Sequence, residues 1–234
     1  MNDLQKMEQE KSVLRWGGLA GMLGGILFIL TFVVVIAGPV GMEDPADLEG
    51  WVTRFPDIRA ARIVENGLYL VALILEVNLF LALYRALRRT SLAPALFGSV
   101  LGILGLVVLM AGALPHVAHA PLSDLYHAPG ATPGEQATLA LLWQATWGIN
   151  DALLAVGFIV VPIGLIALGV AMLGAPAFGK GFGGVSVVLG VVGLVAAAFN
   201  MVDPSSMIAV GSYFAIIIFH LVLGWKVYSL SRAS

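Results

Sequence analysis

An all-α integral membrane protein, a bundle of six spanning helices, is the fold class this sequence predicts, and three observations predict it. Hydrophobic residues occupy 59% of 234 positions and charged residues only 11%, whereas soluble domains carry roughly a quarter charged residues. Six apolar runs each exceed the roughly 17 to 20 residues that cross a hydrocarbon core. The basic residues between those runs are shared unevenly between the two sides, as they are in proteins oriented across a cytoplasmic membrane.

The runs lie near Trp16–Ala37, Ile63–Leu87, Leu92–Leu114, Leu139–Leu173, Gly181–Met201 and Met207–Leu230. Residues 1–15 form a polar segment before them, and residues 16–230 read as one transmembrane domain. The first run is too long for a secretory h-region and no small-residue cleavage site follows it, so it reads as a retained span. One side carries Lys6, Lys11, Arg15, Arg85, Arg88, Arg89, Lys180, Lys226 and Arg232. The other carries only Arg54, Arg59 and Arg62 among several acidic residues. The basic side is expected to be cytoplasmic, with both termini on it.

Helix starts carry capping chemistry. Thr132-Pro133-Gly134-Glu135 offers a cap, a first-turn proline and a reciprocal glutamate. Asp44-Pro45-Ala46-Asp47 and Asp203-Pro204 do the same more simply. Residues 44–56, with Trp51, Val52 and Phe55 at helical spacing, suit a short helix in the outer interface. Residues 115–134 read as a periplasmic loop. The fourth run continues from Pro133 to Leu173, about 60 Å if helical, so it is expected to tilt, bend near Pro162 or project outward, with Trp143 and Trp147 at the outer interface.

Spans one, three and five are rich in glycine, which lets helix backbones approach closely. The stretch from Phe97 to Val107 reads much like that from Phe182 to Val195, and Gly17, Gly21 and Gly25 make two GxxxG steps. The even spans carry the embedded ionisable groups. The pattern suggests a pseudo-repeat of three hairpins, or a compositional likeness alone.

Arg15-Trp16-Gly17-Gly18-Leu19-Ala20-Gly21, Leu81-Ala82-Leu83-Tyr84-Arg85-Ala86-Leu87 and the overall hydropathy layout resemble a family of uncharacterised bacterial multi-pass membrane proteins, known only as a domain of unknown function. The resemblance implies a bacterial cytoplasmic membrane and supplies no activity and no catalytic residues.

Ionisable groups inside a membrane cost at least about 2.5–3.5 kcal/mol each and are the natural candidates for function. Glu65, Tyr69 and Glu76 share a face, since eleven residues at 100° per residue return within about 20°. Gln144, Trp147 and Asp151 form a second stripe, with Asn150 beside it, and Asn66, Asn78 and Asn200 could add to a polar lining. Glu76 lies about 20 Å along the second span and His220 about 22 Å along the sixth. Both helices run from outside to inside, so the two groups are expected at similar depth. Facing each other they could hold a proton or a cation. The alternative is that each satisfies a separate neighbour.

His116, His119 and His127, with Asp124 nearby, are the one group with metal-ligand composition, and a divalent metal is the cofactor this leaves open; an ordinary polar loop fits the same residues. With no cysteine, disulfides, thiolate nucleophiles and iron–sulfur clusters are excluded. Retinal would need an embedded lysine, and bis-histidine haem two embedded histidines where only His220 qualifies. P-loop, G-x-G-x-x-G, G-x-S-x-G and H-E-x-x-H motifs are missing. A net charge of −2 without a basic cluster gives no reason to expect nucleic acid.

Three readings stay open: a non-enzymatic bundle whose polar interior binds or passes a proton, ion or small lipophilic ligand; a scaffold subunit in a homo-oligomer or larger membrane complex; and an outer-face metal-dependent enzyme using His116, His119 and Asp151 or Glu65. Membrane lipids are the one partner common to all three.

Overall fold

The computed structural model describes residues 3–38, 40, 48–202, 208 and 210–232. Seven helices follow in order: α1 (Asp3–Ala37), α2 (Leu48–Leu87), α3 (Leu92–Gly112), α4 (Leu114–Tyr126), α5 (Pro133–Leu173), α6 (Gly179–Val202) and α7 (Val210–Leu230). Six segments are long and apolar enough to cross a membrane, with α3 and α4 counted as one. The protein is a multi-pass membrane protein. The Asp44 and Asp203 caps lie outside the described residues.

Several helices run further than their apolar stretches. The polar N-terminal segment is helical from Asp3 and continuous with α1. Instead of a separate interfacial helix, the described part of residues 44–56 forms the first turns of α2, which continues through Pro56 to Leu87. The segment from Pro115 is likewise not an open loop: α4 occupies Leu114–Tyr126. Pro115 separates it from α3, because a proline ring removes one backbone donor and clashes with the preceding turn. Beyond α4 the chain turns at Gly130, whose φ of 91° belongs to the region glycine favours.

The α5 N-terminus forms as its sequence requires. The Thr132 hydroxyl accepts from Glu135 N at 3.3 Å, and the Glu135 carboxylate accepts from Thr132 N at 2.8 Å. From there α5 runs unbroken through Pro162 for 41 residues. Trp143 lies 30 residues before Leu173, about 45 Å along the axis at 1.5 Å per residue. That exceeds a hydrocarbon core of about 30 Å, so α5 is longer than the core it would cross.

Two apolar cores reflect this division. The larger joins α1, α2, α3, α5, α6 and α7 around Phe28, Leu73, Phe80, Leu83, Leu165 and Phe219. The smaller joins the early turns of α2 to α4 and α5 through Trp51, Val52, Phe55, Ile58, Tyr126 and Trp143. It forms a helical cap on what is called below the α4 face; the opposite end, bearing the chain termini, is the terminal face.

Glycine sets the close contacts. On α1, Gly17, Gly21 and Gly24 meet α2, while Gly18 and Gly25 meet α7. A Cβ on Gly18 would stand 2.5 Å from Tyr228 N and 2.7 Å from Gly224 O. α3 places Gly98 and Gly105 against α5, which returns Gly157 and Gly164, so glycine packing is not confined to the odd spans. At the terminal face, Glu10 draws Arg85 (2.7 Å) and Arg89 (2.9 Å) onto the end of α1.

Candidate functional site: a buried carboxyl–imidazole pair

The glycine ridge of α1 wedges between α2 and α7 and leaves room beneath it for longer side chains. A Cβ on Gly24 would come within 2.8 Å of Glu76 Cγ, so the stem of Glu76 fills the space this glycine vacates. From α7, His220 reaches the same layer. The Glu76 Oε1 to His220 Nδ1 distance is 3.7 Å, and both side chains are 0% exposed.

Hydrogen bonding fixes the tautomer of the ring. His220 Nδ1 lies 2.8 Å from the Ile216 carbonyl, which can only accept, so Nδ1 carries the hydrogen. At 3.7 Å the Glu76 carboxyl stands beside that donor without bonding to it. Both Glu76 oxygens and His220 Nε2 are buried without a hydrogen-bond partner. Phe80 and Phe219 close over the imidazole, each 5.4 Å from it centroid to centroid and edge-on.

Towards the α4 face the surroundings become polar. Tyr69 and Tyr213 lie seven residues before Glu76 and His220 respectively, about 10.5 Å nearer that face. Tyr69 donates to the Leu109 carbonyl at 3.4 Å and is within electrostatic reach of Tyr213, Glu76 and Glu65. Phe28 stacks on Tyr69 at 5.5 Å, and Phe158 meets Tyr213 at 4.3 Å. Asn66 donates to the Ala113 carbonyl at 3.5 Å, and its Oδ1 is buried without a partner. Glu65, 9% exposed, pairs with Arg62 at 3.0 Å.

The second stripe read from the sequence divides differently. Gln144 and Asp151 are exposed, and it is Asn150, one position along, that turns inward beside Gly112. Asn150 donates to Asp151 Oδ1 at 3.3 Å. Asn78 is exposed as well and bonds to carbonyls of its own helix. The spacing shows that residues share a face; it does not show which way that face points.

The histidines of the cap are parts of an aromatic stack. His119 lies flat on Trp143 (4.0 Å, 15°) and parallel to Trp147 (5.6 Å, 17°), and His116 sits 5.6 Å from His119. Thr146 gives its hydroxyl hydrogen to Trp143 O at 2.7 Å, so it accepts from His119 Nε2 at 3.1 Å. That uses one His119 nitrogen. His127 turns away and donates from Nδ1 to the Ser123 carbonyl at 2.9 Å. Among the described residues no three His, Cys, Asp or Glu side chains stand close enough to hold one metal ion. The Arg62 guanidinium, within electrostatic reach of His116 and His119, would also oppose a cation there.

Sequence reasoning missed the buried face of α4, where His119, Ser123 and Tyr126 follow at i, i+4 and i+7. That helical spacing was the available signal. Two surface cavities lie away from Glu76 and His220: one of about 750 Å³ at the α4–α5 turn, and one of about 310 Å³ between Trp16 and Asn78.

A family model described as a domain of unknown function (DUF4386) matches residues 23–230. No curated protein and no solved structure matches the chain.

Proposed function

We propose that this chain, which belongs to the DUF4386 family of unknown function, is a non-enzymatic membrane protein that takes up and releases a proton at the buried Glu76–His220 pair. One observation carries the reading: a carboxyl and an imidazole, both fully buried and 3.7 Å apart, expose three unpartnered polar atoms to one another's surroundings. Buried polar groups are ordinarily satisfied, and the exceptions call for a reason. A site that changes its hydrogen count is such a reason, because no fixed set of partners suits both of its states.

The pair is electrically neutral in two forms, carboxylic acid beside neutral imidazole and carboxylate beside imidazolium. They differ only in the position of one proton. Loss of that proton leaves one negative charge at a depth where charge costs at least about 2.5–3.5 kcal/mol, so release is coupled to whatever restores neutrality. No charged side chain crowds the pair from the described helices around it. α1 contributes Gly24, α2 Tyr69, α7 Tyr213, and α3 Ser99, whose hydroxyl is held by the Phe80 carbonyl. Full burial of both side chains favours a proton over a lipophilic ligand.

For orientation, the Lys/Arg asymmetry supports a cytoplasmic terminal face and an extracytoplasmic α4 face, and the sequence resemblance supports a bacterial inner membrane.

Infrared difference spectra of the reconstituted protein between acid and alkaline pH test the site. A carboxyl band that changes with pH should vanish in Glu76→Gln and shift its midpoint in His220→Gln. Superimposable wild-type and Glu76→Gln spectra would overturn the reading.

A further inference from the structure

The polar groups of α2 and α7 near Glu76 and His220 lie towards the α4 face, while on the terminal side α3 contributes Ser99, bonded to the Phe80 carbonyl. On α2, Arg62, Glu65, Asn66, Tyr69 and Glu76 fall within about 100° of one face, at 100° per residue. This stripe covers 15 residues, a rise of about 21 Å from Arg62 to Glu76. Below Glu76 the same face continues as Phe80, Leu83 and Leu87, each 0% exposed. On α7, Tyr213 precedes His220 with Ile216 and Ile217 buried between them, and Leu223 and Val227, also 0% exposed, follow it. Of the unpartnered buried atoms, Asn66 Oδ1 lies between the α4 face and the pair, whereas Arg88 Nε lies beyond Leu87 among the basic groups around Glu10 at the terminal face.

The packing explains why the terminal side is closed. There α1 meets α2 and α7 at the closest approach, at Gly17 and Gly18, and the cavity beside Gly17 is lined by the exposed Trp16, Asn78 and Leu81, away from the pair. Towards the α4 face, past Gly24 and Gly25, which meet the Ala72 and Ile217 carbonyls, the contacts of α1 are made by the rings of Phe28 and Phe32 against Tyr69 and Tyr213. Side chains can change rotamer and open a path; apposed backbones cannot.

We infer that the Glu76–His220 pair is the inner end of a one-sided access path, through which protons reach it from the α4 face past Asn66 and Tyr69 and are barred from the terminal face. The path rests on the proton-site reading and adds its sidedness. A proton enters from water at the α4 face, passes the Tyr69–Tyr213 layer, and is taken up by the Glu76 carboxyl or by His220 Nε2.

The absence of native cysteine makes the test clean. Asn66→Cys, Tyr69→Cys, Leu83→Cys and Gly67→Cys are placed singly in the full chain and reconstituted in vesicles. Each is then treated from either side with a charged, membrane-impermeant methanethiosulfonate and read by intact mass. Asn66→Cys and Tyr69→Cys should gain the adduct from the α4 face only. Leu83→Cys, which opens a void like that of Tyr69→Cys, should stay unmodified from both faces. Gly67→Cys, with nothing within 4 Å of its Cβ, reports a lipid-facing thiol and should also stay unmodified.

Modification of Leu83→Cys from the terminal face, or failure of both Asn66→Cys and Tyr69→Cys from the α4 face, overturns the path. Tyr69→Phe gives an independent measure, because it keeps the ring and loses the hydroxyl. It should slow deuterium uptake at the Glu76 carboxyl, and an unchanged rate counts against the path. The two ideas fail separately. A Glu76 band that titrates while neither α4-side thiol reacts leaves the proton site standing and removes the path; a silent Glu76 removes the site whatever the thiols do.

Discussion

Replacing Glu76 and His220 together with apolar side chains should make the protein more stable while abolishing its pH response. The magnitude follows from the unpartnered atoms. A buried polar group without a hydrogen bond costs about 1–3 kcal/mol, and the pair contains two such groups, the Glu76 carboxyl and the His220 Nε2 side of the ring. Together they withhold about 2–6 kcal/mol. In a Glu76→Met, His220→Leu variant that cost disappears, and about 1–3 kcal/mol of it returns as imperfect packing against Phe80 and Phe219. Loss of the His220–Ile216 bond weighs little, because the donor is removed and the carbonyl remains within its own helix. At the middle of these ranges the expected net gain is about 2 kcal/mol, reduced because a chain unfolded in the membrane also finds polar partners. Unfolding in mixed detergent micelles, followed by circular dichroism, measures it. A double variant less stable than the wild type would show that the two groups brace the fold, and the reasoning from unpartnered atoms would be wrong.

Other predictions concern the frame around the site. Gly18→Ala should destabilise by about 1–3 kcal/mol, since the new methyl meets Tyr228 and Gly224 backbone atoms that cannot yield; Gly67→Ala, with open space around it, should be neutral or slightly stabilising in the same unfolding assay. Reporter fusions at the two ends should both give cytoplasmic signals, and a periplasmic signal from either would contradict the orientation. Thr132→Ala should loosen the start of α5, read as faster amide exchange over its first turn, at a cost of about 1 kcal/mol.

How much of this was legible in the sequence depends on which forces leave a directional mark. Length and apolarity gave the six spans, and the Thr132–Glu135 cap fixed one helix start to the residue. Embedded charge pointed to Glu76 and His220, and counting along each span put them at one depth, where they meet. Azimuth was harder. In water an apolar stripe points to the core, but in lipid both faces of a helix are apolar, so spacing could group Gln144 with Asp151 without showing that both face outward and Asn150 inward. Glycine carries the missing direction. Gly17, Gly21 and Gly24 mark the α2-facing side of α1, and Gly18 and Gly25 the α7-facing side. Read in that way, the α1 sequence itself reports that it lies between two helices. α4 escaped notice for another reason: two prolines and three histidines around a 13-residue helix read as a loop, and its buried face is only two turns long.

The cap and the pair are connected through α2, which is one helix in both. Its early turns are fixed by Trp51 and Phe55 in the cap core, and its later turns by Phe80 and Leu83 in the membrane core. Between them lies the polar stretch from Arg62 to Tyr69, where neither core reaches fully. Arg62 stands at the junction: it bonds Glu65 and lies over the rings of Trp51 (5.7 Å) and Trp147 (5.8 Å). A guanidinium can hold these contacts together because it accommodates a carboxylate in its plane and an aromatic ring over its face. The histidines of the cap fit this role better than a metal centre, since His119 and His116 extend the same stack on Trp143 and Trp147 beside a fixed positive charge. An aromatic clamp of this kind keeps α2, α4 and α5 together where they leave the lipid. It also keeps the polar face of α2 turned inward, which is the condition for Glu76 to meet His220 about 21 Å further along the helix than Arg62.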